Sequence, residues 1–213
     1  MTEQEAQGWL ADHVSRETLA GLGELVDRVR AEMPRQNLIA ASTSEHIWTR
    51  HIVDSAQLAG LAPESARCWL DLGSGAGFPG LVIALVRPGL RVTLVESRRK
   101  RAEFLAATAK ALDVAHRVEV RGQRLELIRE SPFDVISARA FAPLKRLLPL
   151  AHRFSHEHTI WLLPKGRSAA SELEAVAGSW QGDFQVVPSM TDSEAAIIIA
   201  REVQPRGKGP KRR

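Results

Sequence analysis

Cys68-Trp69-Leu70-Asp71-Leu72-Gly73-Ser74-Gly75-Ala76-Gly77-Phe78-Pro79-Gly80 is the stretch whose reading decides the fold. A short apolar run, Cys68 to Leu70, ends in an acid, Asp71. Four glycines follow, and then an apolar helix candidate, Leu81 to Val86. Strand, glycine turn, helix is the pattern that brings backbone close to a bound nucleotide. Glycine allows positive φ and close approach without a Cβ clash, and the N–H groups at a helix start favour an anionic group. A single glycine would read as an ordinary tight turn. Four of them beside an acid point to a ligand site.

Outward from this stretch the pattern alternates. Strands are expected at 68–72, 91–96, 116–121, 133–138 and 158–163. Helices are expected at 78–86, 98–112, a short piece near 124–129, 143–153 and 168–178. Strands separated by helices make a parallel sheet with right-handed crossovers. The end differs: strand 183–188 reaches strand 196–203 through a short turn with no room for a helix. Parallel neighbours need a long crossover, so this pair must be antiparallel. The expected fold is α/β, a doubly wound, mostly parallel sheet with an antiparallel last strand, preceded by N-terminal helices.

In the leading segment, Leu19, Leu22, Leu25, Val26 and Val29 form one apolar stripe at helical spacing, so residues 1 to about 34 read as helix, ended by Met33-Pro34. Ser42 with Glu45 has the form of a capping box, and a second helix follows to about Gly60 with Ile47, Ile52 and Leu58 inward. The domain reading is 1–62 as a helical segment packed on the core, 63–203 as the ligand-binding domain, and 204–213 as a disordered basic tail.

The chain has 213 residues, enough for one full domain, with 44% hydrophobic and 25% charged residues, as in ordinary globular proteins. Its net charge of +4 is a property of the last ten residues, QPRGKGPKRR, which hold five basic residues and no acid; the body carries 24 basic against 25 acidic residues. Such a tail cannot bury a core; it reads equally as a grip on phosphates or as a solvated terminus. One cysteine, Cys68, excludes an intrachain disulfide and fits a reducing compartment. No signal peptide and no run of about 18 apolar residues is present, so a cytoplasmic protein without a membrane span is expected, and a monomer is expected with it.

Gly75-x-Gly77-x-x-Gly80 matches a dinucleotide fingerprint, with Glu96 at the distance of a ribose-binding acid. Against it stand the earlier Asp71-Leu-Gly73, the missing N–H of Pro79 in the first turn, and the antiparallel final pair. S-adenosyl-L-methionine has no phosphate. Glu96 can accept both its ribose hydroxyls, Gly73 to Gly77 would lie under its methionine and ribose, and Asp71 can hold the turn or meet the ammonium.

At this point the residues resemble class I S-adenosylmethionine-dependent methyltransferases and their Rossmann-like methyltransferase fold. Asp71 to Gly80 with its Phe-Pro-Gly ending, Asn37-Leu38, Arg50-His51-Ile52-Val53-Asp54-Ser55, Arg87-Pro88, Phe133-Asp134 to Arg139-Ala140, and Lys165-Gly166 are similar to the small-subunit rRNA guanine-N7 methyltransferase family, RsmG or GidB. The resemblance spans roughly residues 20 to 203. It implies methyl transfer from S-adenosylmethionine to N7 of a guanine in 16S rRNA of the small ribosomal subunit. It also implies cofactor contacts at Gly73, Phe78, Leu125, Glu126 and Arg139, to which the turn itself adds Asp71, Gly75 and Glu96. Leu125 would lie against the adenine and Glu126 would accept its amine, although Leu125 departs mildly from the family's usual small or β-branched residue. Another RNA, a small molecule, or a non-catalytic RNA-binding role stand as alternatives.

Guanine N7 carries no proton, so attack on a methyl group needs no general base, and placing N7 in line is worth up to about 7–11 kcal/mol. The sequence offers no Ser/His/Asp or Cys/His set. Arg139 and Lys165, at carboxyl ends of strands, are expected to hold RNA phosphate or guanine O6. His51 with Asp54 could form a metal pair, but a local packing hydrogen bond is the stronger reading. Arg98 to Arg101 reads as a solvated face with a possible phosphate contact.

Overall fold

The computed structural model describes residues 1–207. One seven-stranded sheet runs in the order β3-β2-β1-β4-β5-β7-β6. Its strands are β1 (Cys68–Leu72), β2 (Arg91–Val95), β3 (Val118–Arg121), β4 (Val135–Ala138), β5 (Ile160–Lys165), β6 (Trp180–Pro188) and β7 (Ala196–Pro205). The first five pair in parallel; β7 enters between β5 and β6 and is antiparallel to both. The predicted doubly wound sheet is therefore the observed one, with the last strand inserted inside the edge. The helices are α1 (Glu3–His13), α2 (Arg16–Glu32), α3 (Ala41–Ser44), α4 (Asp54–Leu61), α5 (Gly80–Val86), α6 (Arg99–Ala111), α7 (Leu144–Ala151) and α8 (Ala169–Glu174).

Period-two alternation along the strands sorts side chains into two cores. Trp69, Val92, Leu94, Val135, Leu162, Ile197 and Ile199 face one side, packed by α5, α6 and the N-terminal helices through Leu22, Val26, Ile52 and Leu58. Leu70, Leu72, Val95, Ile136, Trp161, Leu163 and Ile198 face the other, covered by α7 through Leu144, Leu147 and Leu148. Residues 1–62 thus bury their apolar stripe against the same core as the first crossover helices. The β3–β4 connection carries only a 3₁₀ turn, Leu125–Leu127.

Several boundaries differ from the sequence reading. The first 34 residues form two helices rather than one, because Ser15 is an N-cap whose hydroxyl accepts from Thr18 N–H and starts α2 afresh. The Ser42–Glu45 capping box does not form. Ser42 lies inside α3, whose N-cap is Ala40, and the Thr43 and Ser44 hydroxyls donate back to the carbonyls of Ala40 and Ala41. A capping box does form at Thr2 and Glu5. The helix after residue 45 begins as a π-helical turn, Trp48–Val53, before α4. The C-terminal boundary at 203 falls short: β7 continues to Pro205, and Arg206 bonds back to Ser179 and Trp180. The rest of the expected basic tail, 208–213, lies outside the described residues.

Candidate active site

Two acids fix the glycine turn at the carboxyl edge of the sheet. Asp71, fully buried, accepts the Gly80 N–H through Oδ2 (3.2 Å) and the Ser137 hydroxyl through Oδ1 (2.8 Å). Ser137 in turn accepts the indole N–H of Trp69 at 2.8 Å, so a buried chain ties β1, β4 and the loop together. Burial pushes the Asp71 carboxyl up, against the pull of Ser137, Ser74 and Gly80. Glu96 works at the other end: Oε2 accepts Gly75 N–H (3.1 Å) and Oε1 accepts Arg98 N–H (2.8 Å). Gly73 and Ser74 N–H groups both donate to the Val95 carbonyl.

The turn needs its glycines for space as well as for φ. Gly73 sits at φ +70, and a Cβ there would lie 2.7 Å from Phe141 Cδ2. Gly80 has an ordinary φ, yet its Cβ would lie 2.2 Å from Leu94 Cδ2. Pro79 precedes α5 rather than sitting in its first turn, and the Phe78–Pro79 peptide is cis.

A cavity of about 930 Å³ opens beside this turn, lined by Gly73, Gly75, Phe78, Arg139, Phe141 and Lys165 among others. Its floor is a compact cluster. Phe78, buried, stacks on the His51 ring at 5.1 Å, and the Arg139 guanidinium lies 5.6 Å over the same phenyl. Arg139 donates to the Arg50 carbonyl (3.0 Å), contacts His51 Nδ1 (2.8 Å) and pairs with Asp54 (3.6 Å). Burial pushes its guanidinium down from the ordinary value while Asp54 pulls it up. Ala140, next to it, holds φ +52, a backbone state rare for alanine. Such strain clusters at ligand sites, and here it delivers Phe141 against Gly73.

His51, read from the sequence as making a packing hydrogen bond rather than binding a metal, is hydrogen-bonded at both ring nitrogens, and its partners are Thr43 and Arg139 rather than Asp54. Its Nε2 meets Thr43 Oγ1 at 2.9 Å while Nδ1 faces Arg139, so the ring is neutral, with the proton on Nε2. No cluster of three or more metal-ligating side chains exists among the described residues, and Asp54 instead accepts from Thr191 (2.9 Å) and Gln57 (3.0 Å). Burial, then Arg139 and Arg50, lower the His51 pKa from 6.5 to about 3. The folded value lies below the unfolded one, so the stability this contributes is complete above pH 6.5 and is lost as pH falls toward 3. At pH 5 the loss is about 2 kcal/mol. Thermal melts at pH 7.5 and pH 5 should show that drop in the wild type and a smaller one in His51→Gln.

The other predicted residues are placed as follows. Lys165 sits at the carboxyl end of β5, as the sequence implies, but it is no free surface cation: Nζ donates to Glu172 (2.8 Å) and to the Ala142 carbonyl (3.1 Å). Glu172 also accepts Leu144 N–H, so the pair fixes the start of α7. Asp71 is sealed under the loop, and Glu96 is 6% exposed with one lone-pair site left on each oxygen. Neither they nor Leu125, which is buried, nor Glu126, which is exposed, line the cavity. Arg101 reaches the cavity wall and binds the Asn37 carbonyl, so that one member of the arginine run is not merely a solvated cation.

Comparison with known proteins identifies the family and the fold. The family model described as GidB, rRNA small subunit methyltransferase G, matches residues 19–198. The chain belongs to this family. Ribosomal RNA small subunit methyltransferase G of Rhizorhabdus wittichii is 69% identical over all of this chain and 99% of the relative. The protein of that name from Zymomonas mobilis is 50% identical over 97% of this chain and 96% of its own length. Among solved structures, the O-methyltransferase from Bacillus cereus in complex with SAH superposes with TM-score 0.59 at 16% identity, covering 85% of this chain and 90% of that one. The O-methyltransferase TomG from Streptomyces achromogenes in complex with SAM gives 0.56 at 17% identity, over 83% and 88%. The fold of this family member is thus the Rossmann-like methyltransferase fold.

Proposed function

We propose that the protein transfers a methyl group from S-adenosylmethionine to N7 of a guanine in 16S rRNA, acting as a cytoplasmic monomer on the small ribosomal subunit. The observation that carries the cofactor reading is the start of α5. Pro79 has no N–H, Gly80 N–H is taken by Asp71, and Leu81 N–H is taken by the Gly77 carbonyl. A pyrophosphate would need those donors; a nucleoside without phosphate does not. The cradle at Gly73 and Gly75, with Phe78 and Phe141 as apolar walls, suits a nucleoside and a short aliphatic chain.

Bound S-adenosylmethionine supplies a methyl group on a sulfonium, already electrophilic. Gly73 and Gly75 would support it from below, and Glu96, which already holds the Gly75 N–H, would accept ribose hydroxyls at its two remaining lone-pair sites. Leu125 and Glu126, one turn beyond β3, would close on the adenine. Arg139, braced by His51, Asp54 and the Arg50 carbonyl, would orient guanine at the cavity floor. The one imidazole lining the cavity is neutral and bonded at both nitrogens, so it is not placed to take a proton. N7 has none to give. Rate then comes from position and from the electrostatics of the floor.

Calorimetry with S-adenosylmethionine and with NAD tests the cofactor. Binding of the first and not the second is expected, and the reverse would end this reading. Mapping 7-methylguanosine in rRNA from cells with and without the gene tests the reaction; an unchanged map would reject the rRNA assignment. Methylation of naked 16S rRNA against assembled 30S particles then identifies the form of the substrate.

A further inference from the structure

Two arginines at the cavity mouth face two acids carried on one turn. Arg50, from the π-helical turn, pairs with Asp192, and Arg167, after β5, pairs with Glu194. Both acids lie between β6 and β7, and all four residues line the cavity. The arginine side chains are 44% and 77% exposed. Ion pairs this exposed shift an equilibrium by about fivefold at most, so they contribute little to holding the turn in place.

The turn is held from its inner side instead. Thr191 donates its hydroxyl to Asp54 (2.9 Å), the Ser189 and Thr191 hydroxyls bond each other (2.9 Å), and Met190 N–H donates to Gln57 Oε1 (3.1 Å). Asp192 steadies the tip by accepting Glu194 N–H at Oδ1 (2.9 Å) and Ala195 N–H at its carbonyl (3.0 Å). Parting the two ion pairs therefore needs side-chain rotation and no movement of the turn. It would uncover two guanidinium groups, from separate elements, beside the entrance to the site.

Resting on the function proposed above, we propose that Arg50 and Arg167 are phosphate-binding residues for rRNA at the cavity mouth. In this proposal Asp192 and Glu194 occupy them as carboxylate stand-ins until the RNA arrives. A guanidinium accepts a carboxylate or a phosphate in the same forked geometry, so the exchange conserves each arginine's hydrogen bonds. A polyanion brings many phosphates at once and releases counterions as it binds, which two exposed carboxylates do not match. Outside its last ten residues the chain has one more acid than base, so the body offers no overall positive field to RNA, and this exchange supplies two local cations where the substrate enters.

The test is rRNA binding measured by filter retention over a salt series, with calorimetric cofactor binding as the check on folding. Asp192→Asn/Glu194→Gln keeps the acceptor that steadies the turn and removes both charges; it should tighten binding of 16S rRNA by up to about fivefold for each acid removed. Arg50→Gln/Arg167→Gln should weaken it and reduce the slope of log affinity against log salt by about 1.4, two contacts at about 0.7 each. An acid-free variant that binds no tighter overturns the masking. An arginine-free variant with unchanged affinity and slope overturns the phosphate sites. Methyl transfer is scored separately: a wild type that binds rRNA and leaves its guanines unmethylated rejects the enzymatic reading alone, and the binding series still decides this one.

Discussion

Replacing Arg139 by alanine is expected to lower methyl transfer by about a hundredfold while the protein stays folded. The guanidinium spans Phe78, His51, the Arg50 carbonyl and Asp54, so its loss removes the brace of the cavity floor, and displacing a reacting group by about 1 Å costs on that order. Folding should survive because Asp54 keeps Thr191 and Gln57 as donors. Arg139→Lys should recover little: a lysine restores charge but cannot reach the His51 ring and the Arg50 carbonyl with one planar fork. Single-turnover methylation of 30S particles, beside thermal melts, measures both. A wild-type rate in the alanine variant would remove Arg139 from the site.

Gly73→Ala is expected to abolish cofactor binding and lower stability by about 2–5 kcal/mol. Two terms add. The left-handed backbone at φ +70 costs an alanine about 1–2 kcal/mol. The new methyl, 2.7 Å from Phe141 Cδ2, forces that ring aside at an overpacking cost of about 1–3 kcal/mol. For a chain of this size the melting temperature should fall by about 10 °C. Gly75→Ala is the control: its φ is similarly positive at +57, but its nearest contact would be 3.7 Å away. It should lose only the backbone term, so equal losses in the two variants would mean that contact with Phe141 is irrelevant. Melts and calorimetric titration with S-adenosylmethionine read both quantities.

Much of this molecule is legible in local pattern because local pattern is what fixes it. The strand alternation that places Trp69 and Leu94 on one face and Leu70 and Val95 on the other is written in neighbouring residues. The short span between β6 and β7 forces an antiparallel pair whatever lies around it. The Ser42 cap failed because one residue of register decides whether a hydroxyl stands before a helix or inside it. Ser15 was missed because the stripe from Leu19 to Val29 lies wholly inside α2 and carries no mark of where the helix begins. Lys165 shows the harder limit: its partner Glu172 is close in sequence, but only the placement of α8, between the end of β5 and the start of α7, turns an apparent surface cation into a structural ion pair.

By itself the sequence determined the doubly wound sheet, the glycine turn at the end of its first strand and the family, since each rests on residues adjacent in the chain. Only the tertiary structure decided that β7 slots between β5 and β6, that His51 is a bonded neutral brace for Arg139, and that Asp192 and Glu194 pair with Arg50 and Arg167. The physical reason is that these are contacts between residues up to 142 positions apart. Burial, charge pairing and strand insertion are properties of the assembled molecule, and no local stretch carries them.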